Sequence, residues 1–556
     1  MSENVKIICE NDGSSLFVAM GTTLEQIAEV LALKNDYPFL AAYVNNRLKE
    51  LNYRVYNPVS IRFIDITHFA GMGVYQRTLF FVLQKAVHDL FPDRKLYIKN
   101  SVAKGFYCEI QGMEDIPGEE IDRLQDRMRD IVDQDIPIVR EKMTQTEAEE
   151  LYRKWGMEDK EVLLKTRPHL YVTIYSLANL VGYFYGVLAT STRFVPLFEL
   201  HKYYKGLHLA VPKRTDPSRL EAMVPQDKMF DVFNEYADWV RVIGVANIGA
   251  LNSRILEGRG GELIKIAEAF HEKKLGNIAD MIQASHEEGG ARIVLISGPS
   301  SSGKTTFAKR LGIQLRILGL EPVLISLDDY FVDREKTPLD DQGRYDYETL
   351  EAIDIGLFNQ HLEELLAGRQ VSIPRYDFIT GKRTAEGVPL QMGERSILVI
   401  EGIHGLNPTL TAQIEDKYKF RIYVSALTSI SMDNVNRIAT TDNRLIRRIV
   451  RDYHSRGSSA SDTLRRWGSV RRGEDKYIFP YQEQADVMFN SSLFYELAVL
   501  KNQVEPLLYE VPDTIVEYGE ARRLLRVLDQ FTPLDGSEIP PTSILREFIG
   551  GSSFIY

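Results

Sequence analysis

With 556 residues and a formal net charge of −11, the chain is too long for one hydrophobic core and is expected to hold about three or four domains. Its acidity excludes a general coat for nucleic acid or membrane surfaces and leaves room only for a local basic patch. Cys9 and Cys108 are its only cysteines, which excludes both a disulfide framework and a four-thiolate zinc centre.

In chain order, the first residues, Met1-Ser2-Glu3-Asn4-Val5-Lys6, carry an acid and no long apolar run, so a cytoplasmic protein without a secretory or transit segment is expected. Residues 1–68 alternate short apolar runs around one helical pattern that starts at a Thr23 cap and carries Leu24, Ile27 and Leu31, which predicts a β-grasp-like module. Residues 69–215 open with an apolar helix over 79–90. They include an uncharged stretch, 170–192, long enough to cross a bilayer. Its Thr, Ser, Asn, Tyr and Gly content suits buried strands and turns instead, so the segment reads as α+β and no membrane span is expected. In residues 216–288, Met229, Val232, Phe233, Tyr236 and Val240, then Ile264, Ala267 and Phe270, recur at helical spacing and predict a helical connector.

Residues 289–510 alternate apolar strands with helices, the pattern of a doubly wound, parallel α/β domain, with strands at 293–296, 323–327, 397–400, 422–424 and 487–489. Residues 511–556 form a tail with a turn and short helix over 540–548. There is no internal repeat and no low-complexity tract.

Directly behind the first of those strands stands Gly298-Pro299-Ser300-Ser301-Ser302-Gly303-Lys304-Thr305, followed by Thr306 and by Ala308, Leu311, Leu315 and Leu318 at helical spacing. A G-x-x-x-x-G-K-T run between strand and helix is a phosphate loop. Its amides close around an anion, Lys304 reaches the terminal phosphates, the Thr305 hydroxyl binds Mg2+, and the helix dipole favours negative charge. A nucleotide, ATP with Mg2+, is therefore the expected ligand of residues 298–306.

Ligands of open parallel sheets gather at the carboxyl ends of strands. There the sequence places Asp328-Asp329-Tyr330-Phe331 and Glu401-Gly402-Ile403-His404. Phosphoryl transfer needs a carboxylate to take a hydroxyl proton, a metal to bridge phosphates, and cations to balance charge. Asp328 or Asp329 can be the base, although an Asp pair after a strand also suits a cap or turn. Glu401 can join Thr305 at the metal. Arg444, Arg447, Arg448 and Arg451 share one helical face opposite Leu445, Ile446, Ile449 and Val450. With Arg456, Arg465, Arg466, Arg471 and Arg472 they are expected to form a mobile lid, in which Arg444 and Arg448 hold the nucleotide and Arg447 acts on the transferring group. Gly343-Arg344-Tyr345-Asp346-Tyr347 and Pro374-Arg375-Tyr376-Asp377-Phe378 supply aromatic faces and carboxylates for an acceptor, with Tyr345, Asp346, Tyr376 and Phe378 as its candidate contacts.

These motifs, with Asp442-Asn443-Arg444-Leu445-Ile446-Arg447-Arg448, occur in an order that resembles the uridine/cytidine kinase family, with phosphoribulokinase a more distant relative; the likeness spans about residues 290 to 500. The resemblance implies transfer of the γ-phosphate of ATP to the 5′-hydroxyl of a pyrimidine ribonucleoside. It makes Asp328 the base, Asp346 the ribose-binding carboxylate, and Tyr376 and Phe378 the lining of the base pocket. Where the family has a base-reading His, this chain has Gly381.

Asp12-Gly13, Gly21-Thr22-Thr23-Leu24, Val44-Asn45-Asn46-Arg47-Leu48, Leu90-Phe91-Pro92 and Gly105-Phe106-Tyr107 resemble the TGS and second N-terminal domains of threonyl-tRNA synthetases. Arg77 and Phe81 stand where the synthetases carry editing histidines, so binding, regulation or assembly is expected there in place of deacylation. The expected partners are a nucleoside substrate, an RNA or small-molecule regulator at the TGS-like half, and a second copy of the chain. Two alternatives stand beside this reading: an ATP-switched RNA- or ribosome-associated regulator, and a sugar-phosphate kinase of phosphoribulokinase type.

Overall fold

The computed structural model describes residues 4–167, 169–340, 343–377, 380–384 and 386–555. Near the N-terminus a mixed five-stranded sheet runs in the order Ser15–Ala19, Asn4–Cys9, Val59–Ile64, Ala41–Val44, Arg47–Lys49. Its first two strands form an antiparallel hairpin, and Asn4–Cys9 also pairs in parallel with Val59–Ile64. The helix Leu24–Leu31 starts at Thr23 in a capping box closed by Gln26, as the sequence pattern requires.

The following helix, Phe69–Leu90, starts ten residues earlier than periodicity predicts, because His68 Nδ1 accepts the Ala70 N–H at 3.1 Å and caps the added turns. It packs beside a four-stranded antiparallel sheet that contains Leu96–Val102 and Gly105–Ile110. The uncharged stretch forms the strands Tyr171–Leu177 and Leu180–Gly182. Among the described residues no helix is long and apolar enough to cross a membrane. Arg77 lies inside this core, where its guanidinium donates to the Val187 carbonyl at 3.1 and 3.0 Å, and Phe81 packs edge-on against Phe184.

The C-terminal sheet is fully parallel. Its strands are β1 (Ile293–Ser297), β2 (Glu321–Ser326), β3 (Ser396–Glu401), β4 (Lys419–Ser425) and β5 (Val487–Asn490), ordered β2-β3-β1-β4-β5. Burial on both faces explains why β1 and β3 read as near-continuous apolar runs. On β1, Val294 and Ile296 enter one core with Phe307, Leu311 and Leu445, whereas Ile293 and Leu295 enter another with Phe358 and Leu362. Helices α1 (Gly260–Glu287), α2 (Lys304–Ile317), α3 (Thr440–Arg456) and α4 (Ala460–Tyr477) surround the first of these, with α5 (Glu496–Tyr509) and α6 (Tyr518–Leu528).

Residues set apart by sequence as connector and tail contribute to that same core: Leu263, Ile264 and Leu275 from one, Ile544, Leu545 and Phe548 from the other. The C-terminal stretch also reaches the N-terminal sheet. Asn46 Nδ2 donates to the Asp513 carbonyl at 2.9 Å, and Arg47 Nη2 donates to the Tyr518 hydroxyl at 3.0 Å.

Candidate functional site

Register decides where the chemistry gathers. Ile296 of β1 stands beside Glu401 of β3, and Glu401 beside Ser326 of β2, so three strands end level with one another. Two residues beyond Ile296 the phosphate loop begins, and two residues beyond Ser326 comes Asp328. The sheet edge thus brings loop, Asp328 and Glu401 together, as expected at the carboxyl ends of parallel strands.

The loop turns back on itself through left-handed backbone at Ser301 (φ 60°) and Gly303 (φ 82°). Gly303 ends the loop at the start of α2, whose N-terminus has no side-chain cap from Gly303 itself and so presents donors and the positive end of the dipole. Lys304 Nζ donates to the Pro299 carbonyl at 3.2 Å, and burial holds its ammonium below the usual lysine range. Not every loop amide faces an anion site: the Ser300 N–H donates to Glu474 Oε1 at 3.2 Å.

The charges of Glu401, Asp328 and Glu547 act on Lys304 and favour its ammonium form. Glu401 Oε1 accepts from the Thr305 hydroxyl at 3.2 Å and from the Ser326 hydroxyl at 2.9 Å. Burial, and then the neighbouring Asp328 carboxylate, push Glu401 up to about 7. Burial also raises Asp328, against the pull of Lys304, Arg456 and Arg451. Among the described residues no hydrogen bond reaches the Asp328 carboxylate. Glu348, which the motifs did not single out, has its carboxyl pushed up to about 7 by burial near Arg448, Glu474 and Lys304. No cluster of three or more His, Cys, Asp or Glu side chains that could hold a metal is present among the described residues. A hydroxyl, one or two carboxylates and incoming phosphates are nevertheless the donor set that suits Mg2+, and Thr305 with Glu401 fits it.

Two of the expected lid arginines are not exposed to a ligand. Arg444 and Arg447 lie fully buried, paired with Glu474 and Glu496 respectively. Arg444 Nη2 donates to Glu474 Oε2 at 2.7 Å, and Arg447 Nε donates to Glu496 Oε2 at 3.1 Å. The segment expected to form the lid runs as helix α4, whose Ala460, Thr463, Leu464 and Val470 are buried and whose Arg465, Arg466 and Arg472 are exposed. Periodicity separates the two faces of α3 but cannot show that α4 and α5 cover the charged one. What the arginines touch is the loop's own backbone: Arg444 Nη1 reaches the Ser300 carbonyl at 3.1 Å and Arg447 Nη1 the Ser301 carbonyl at 3.4 Å. Arg448 donates to the Ser300 hydroxyl at 2.7 Å. Asp452, also missed by sequence, gathers Arg448, Arg451 and Arg456. Burial alone would raise its carboxyl, yet these arginines hold it below the usual range.

On the acceptor side, the Phe331 ring lies 5.6 Å from Tyr376 and 6.3 Å from Tyr347, and the Tyr376 N–H donates to Asp329 at 3.4 Å. Tyr345 lies tilted against Tyr347 at 6.2 Å with 43% of its surface exposed. Asp346 Oδ1 accepts the Glu348 N–H at 3.0 Å, which leaves its second oxygen outside that bond. Phe378 lies outside the described residues. Gly381 is required where it stands: its φ is 72°, and a Cβ would come within 2.6 Å of the Arg334 guanidinium. A histidine cannot occupy that turn without displacing Arg334.

Residues 293–495 match the model of the Phosphoribulokinase / Uridine kinase family. A protein named uridine kinase from Halobacterium salinarum is 27% identical over 194 residues, 35% of this chain and 77% of that relative. Another, from Staphylococcus aureus, is 27% identical over 197 residues, 35% of this chain and 86% of the relative. A solved structure described as a possible uridine kinase from Bacillus stearothermophilus shares 20% identity over 36% of this chain and 89% of its own, with a TM-score of 0.25. The family match, the parallel sheet and the phosphate loop support a kinase-type α/β region. The first 292 residues fall outside the match.

Proposed function

We propose that the chain transfers the γ-phosphate of ATP to the 5′-hydroxyl of a ribonucleoside, with uridine or cytidine as the first candidates. The observation that carries this reading is Asp328: a half-buried carboxylate without a hydrogen-bond partner among the described residues, at the strand edge that also holds the phosphate loop. A carboxylate raised by burial is a better base than one fixed by an arginine, because its proton affinity is closer to the working pH. Asp328 takes the hydroxyl proton. Lys304 and the loop amides hold the terminal phosphates, and Thr305 with Glu401 holds Mg2+, which offsets phosphate charge when bound. Arg444 and Arg447 shape the loop from behind, while Arg448 borders it through Ser300. Tyr345, Asp346, Tyr376 and Phe378 receive the acceptor.

The names of the curated relatives support the nucleoside acceptor. A second reading, a sugar or sugar-phosphate acceptor, is favoured by Gly381, which stands where a base-reading imidazole would be. For the N-terminal half we propose a TGS-like and synthetase-like binding or regulatory role, with RNA or a small molecule as ligand, in a cytoplasmic enzyme. The test measures ADP release by the full chain with Mg2+ and ATP against a panel of nucleosides, sugar phosphates and RNA, with products identified by mass. A nucleoside monophosphate formed in step with ADP supports the first reading, and a phosphorylated sugar supports the second. Release stimulated by RNA alone, without a phosphorylated small molecule, overturns both.

A further inference from the structure

The tail that sequence leaves without a purpose ends at the phosphate loop. Glu547 accepts the Thr306 hydroxyl at 2.5 Å and the Thr306 N–H at 3.4 Å. Thr306 lies in the first turn of α2, where orphan amides and the helix dipole form the anion site on which a phosphate loop depends. A carboxylate from 241 residues away therefore sits on donors that a nucleotide phosphate requires.

The neighbouring side chains close the same ground. Ile544 presses on the loop so tightly that a Cβ on Gly303 would lie 2.6 Å from its Cγ2. The Phe548 ring covers the Arg447 guanidinium at 4.9 Å, with only 1% of its own surface exposed. Ser543 fixes the start of the segment by donating to Glu268 at 2.5 Å, and Lys309 of α2 donates to the Ile555 carbonyl.

We propose that residues 543–549 are a built-in competitor of the nucleotide, in which Glu547 takes the place of a phosphate on Thr306 and Phe548 seals the adjoining guanidinium, so that ATP binds only as this segment withdraws. Two anions cannot share the same pair of donors. A triphosphate brought beside Glu547 meets a like charge, which adds to the drive for withdrawal. The chain just before the segment stays tethered through Leu534 and Ile539 in the core, so the segment returns once the nucleotide leaves.

The proposal goes beyond the proposed reaction, since it concerns occupancy of the phosphate loop whichever hydroxyl is phosphorylated. Its test uses the full chain and two independent readouts. In Glu547→Gln, which keeps the size of the side chain but removes its charge, the affinity for ATP is expected to tighten about tenfold, the effect of losing one charge-assisted competing contact. Inorganic tripolyphosphate serves as a second probe and is expected to tighten similarly, which separates failure of the anion site from failure of nucleoside kinase activity. In the unaltered chain, hydrogen exchange of amides in 543–549 is expected to rise when ATP is bound. Unchanged affinity for both probes in the folded variant, or exchange in 543–549 that stays equally slow with ATP bound, overturns the proposal.

Discussion

Two groups of carboxylates flank the same loop and have opposite fates. On the strand side, Asp328 and Glu401 lie beside each other with Lys304 as their common cation, and burial raises both. On the helix side, Glu474 is held low despite its burial, by Arg444 and Arg471, and Glu496 is locked to Arg447. Residue type and burial alone therefore do not distinguish a reactive acid from a scaffold acid. The number and geometry of partners do: a carboxylate saturated by guanidinium donors has no basicity to offer, whereas one that lies near cations without a hydrogen bond from any of them can take a proton.

The sharpest way to break this contrast is to remove one acid from each side. Asp328→Asn is expected to lower turnover by about 10^2 to 10^4-fold, the usual worth of a positioned base, while ATP affinity stays within about twofold. Steady-state kinetics with a nucleotide-binding titration checks it. Glu496→Gln is expected to act on folding instead: a buried guanidinium left without its partner costs about 3 kcal/mol, read from urea unfolding. A large loss of stability in the first variant, or none in the second, would erase the distinction.

A smaller effect sharpens the acceptor side. Tyr345 is largely exposed, so Tyr345→Ala is expected to leave unfolding unchanged and to raise KM for the acceptor about fivefold with kcat within about twofold.

The smallest effect is a pH signature. Glu401 has a folded value of about 7, above its ordinary 4.5. A group raised in this way contributes stability that is fully present below about pH 4.5 and is lost as pH rises through about 7. Glu401→Gln removes that loss. The ligand-free variant is thus expected to gain about two degrees in Tm over the parent between pH 5 and pH 8, measured by calorimetry, with no gain at pH 5.

Much of this contrast is legible in the sequence on the strand side and little of it on the helix side. The five parallel strands, the loop and Asp328 follow from local rules: apolar runs, a glycine-bounded octapeptide and residues just past strand ends. Arg447 could be placed on a helical face but not matched to Glu496, since its partner lies 49 residues on and nothing local points to it. Asp452 and Glu348 escaped for the same reason, as single acids whose meaning comes from what surrounds them. Glu547 is the extreme case: a four-residue helix, Arg546–Ile549, has too few positions to show any period, yet it reaches the start of α2. The synthetase-like reading of the N-terminal half rests on scattered short motifs, and its sheet and helix order conveys architecture, not ligand.

The most direct measurement of the central claim is a crystal structure of the full chain with Mg2+, a non-hydrolysable ATP analogue and the nucleoside that the acceptor screen selects. The account predicts the Asp328 carboxylate within hydrogen-bond reach of the acceptor hydroxyl, with that hydroxyl in line with the γ-phosphate held by Lys304. An acceptor hydroxyl that contacts some other group while Asp328 points away from the cleft would contradict it.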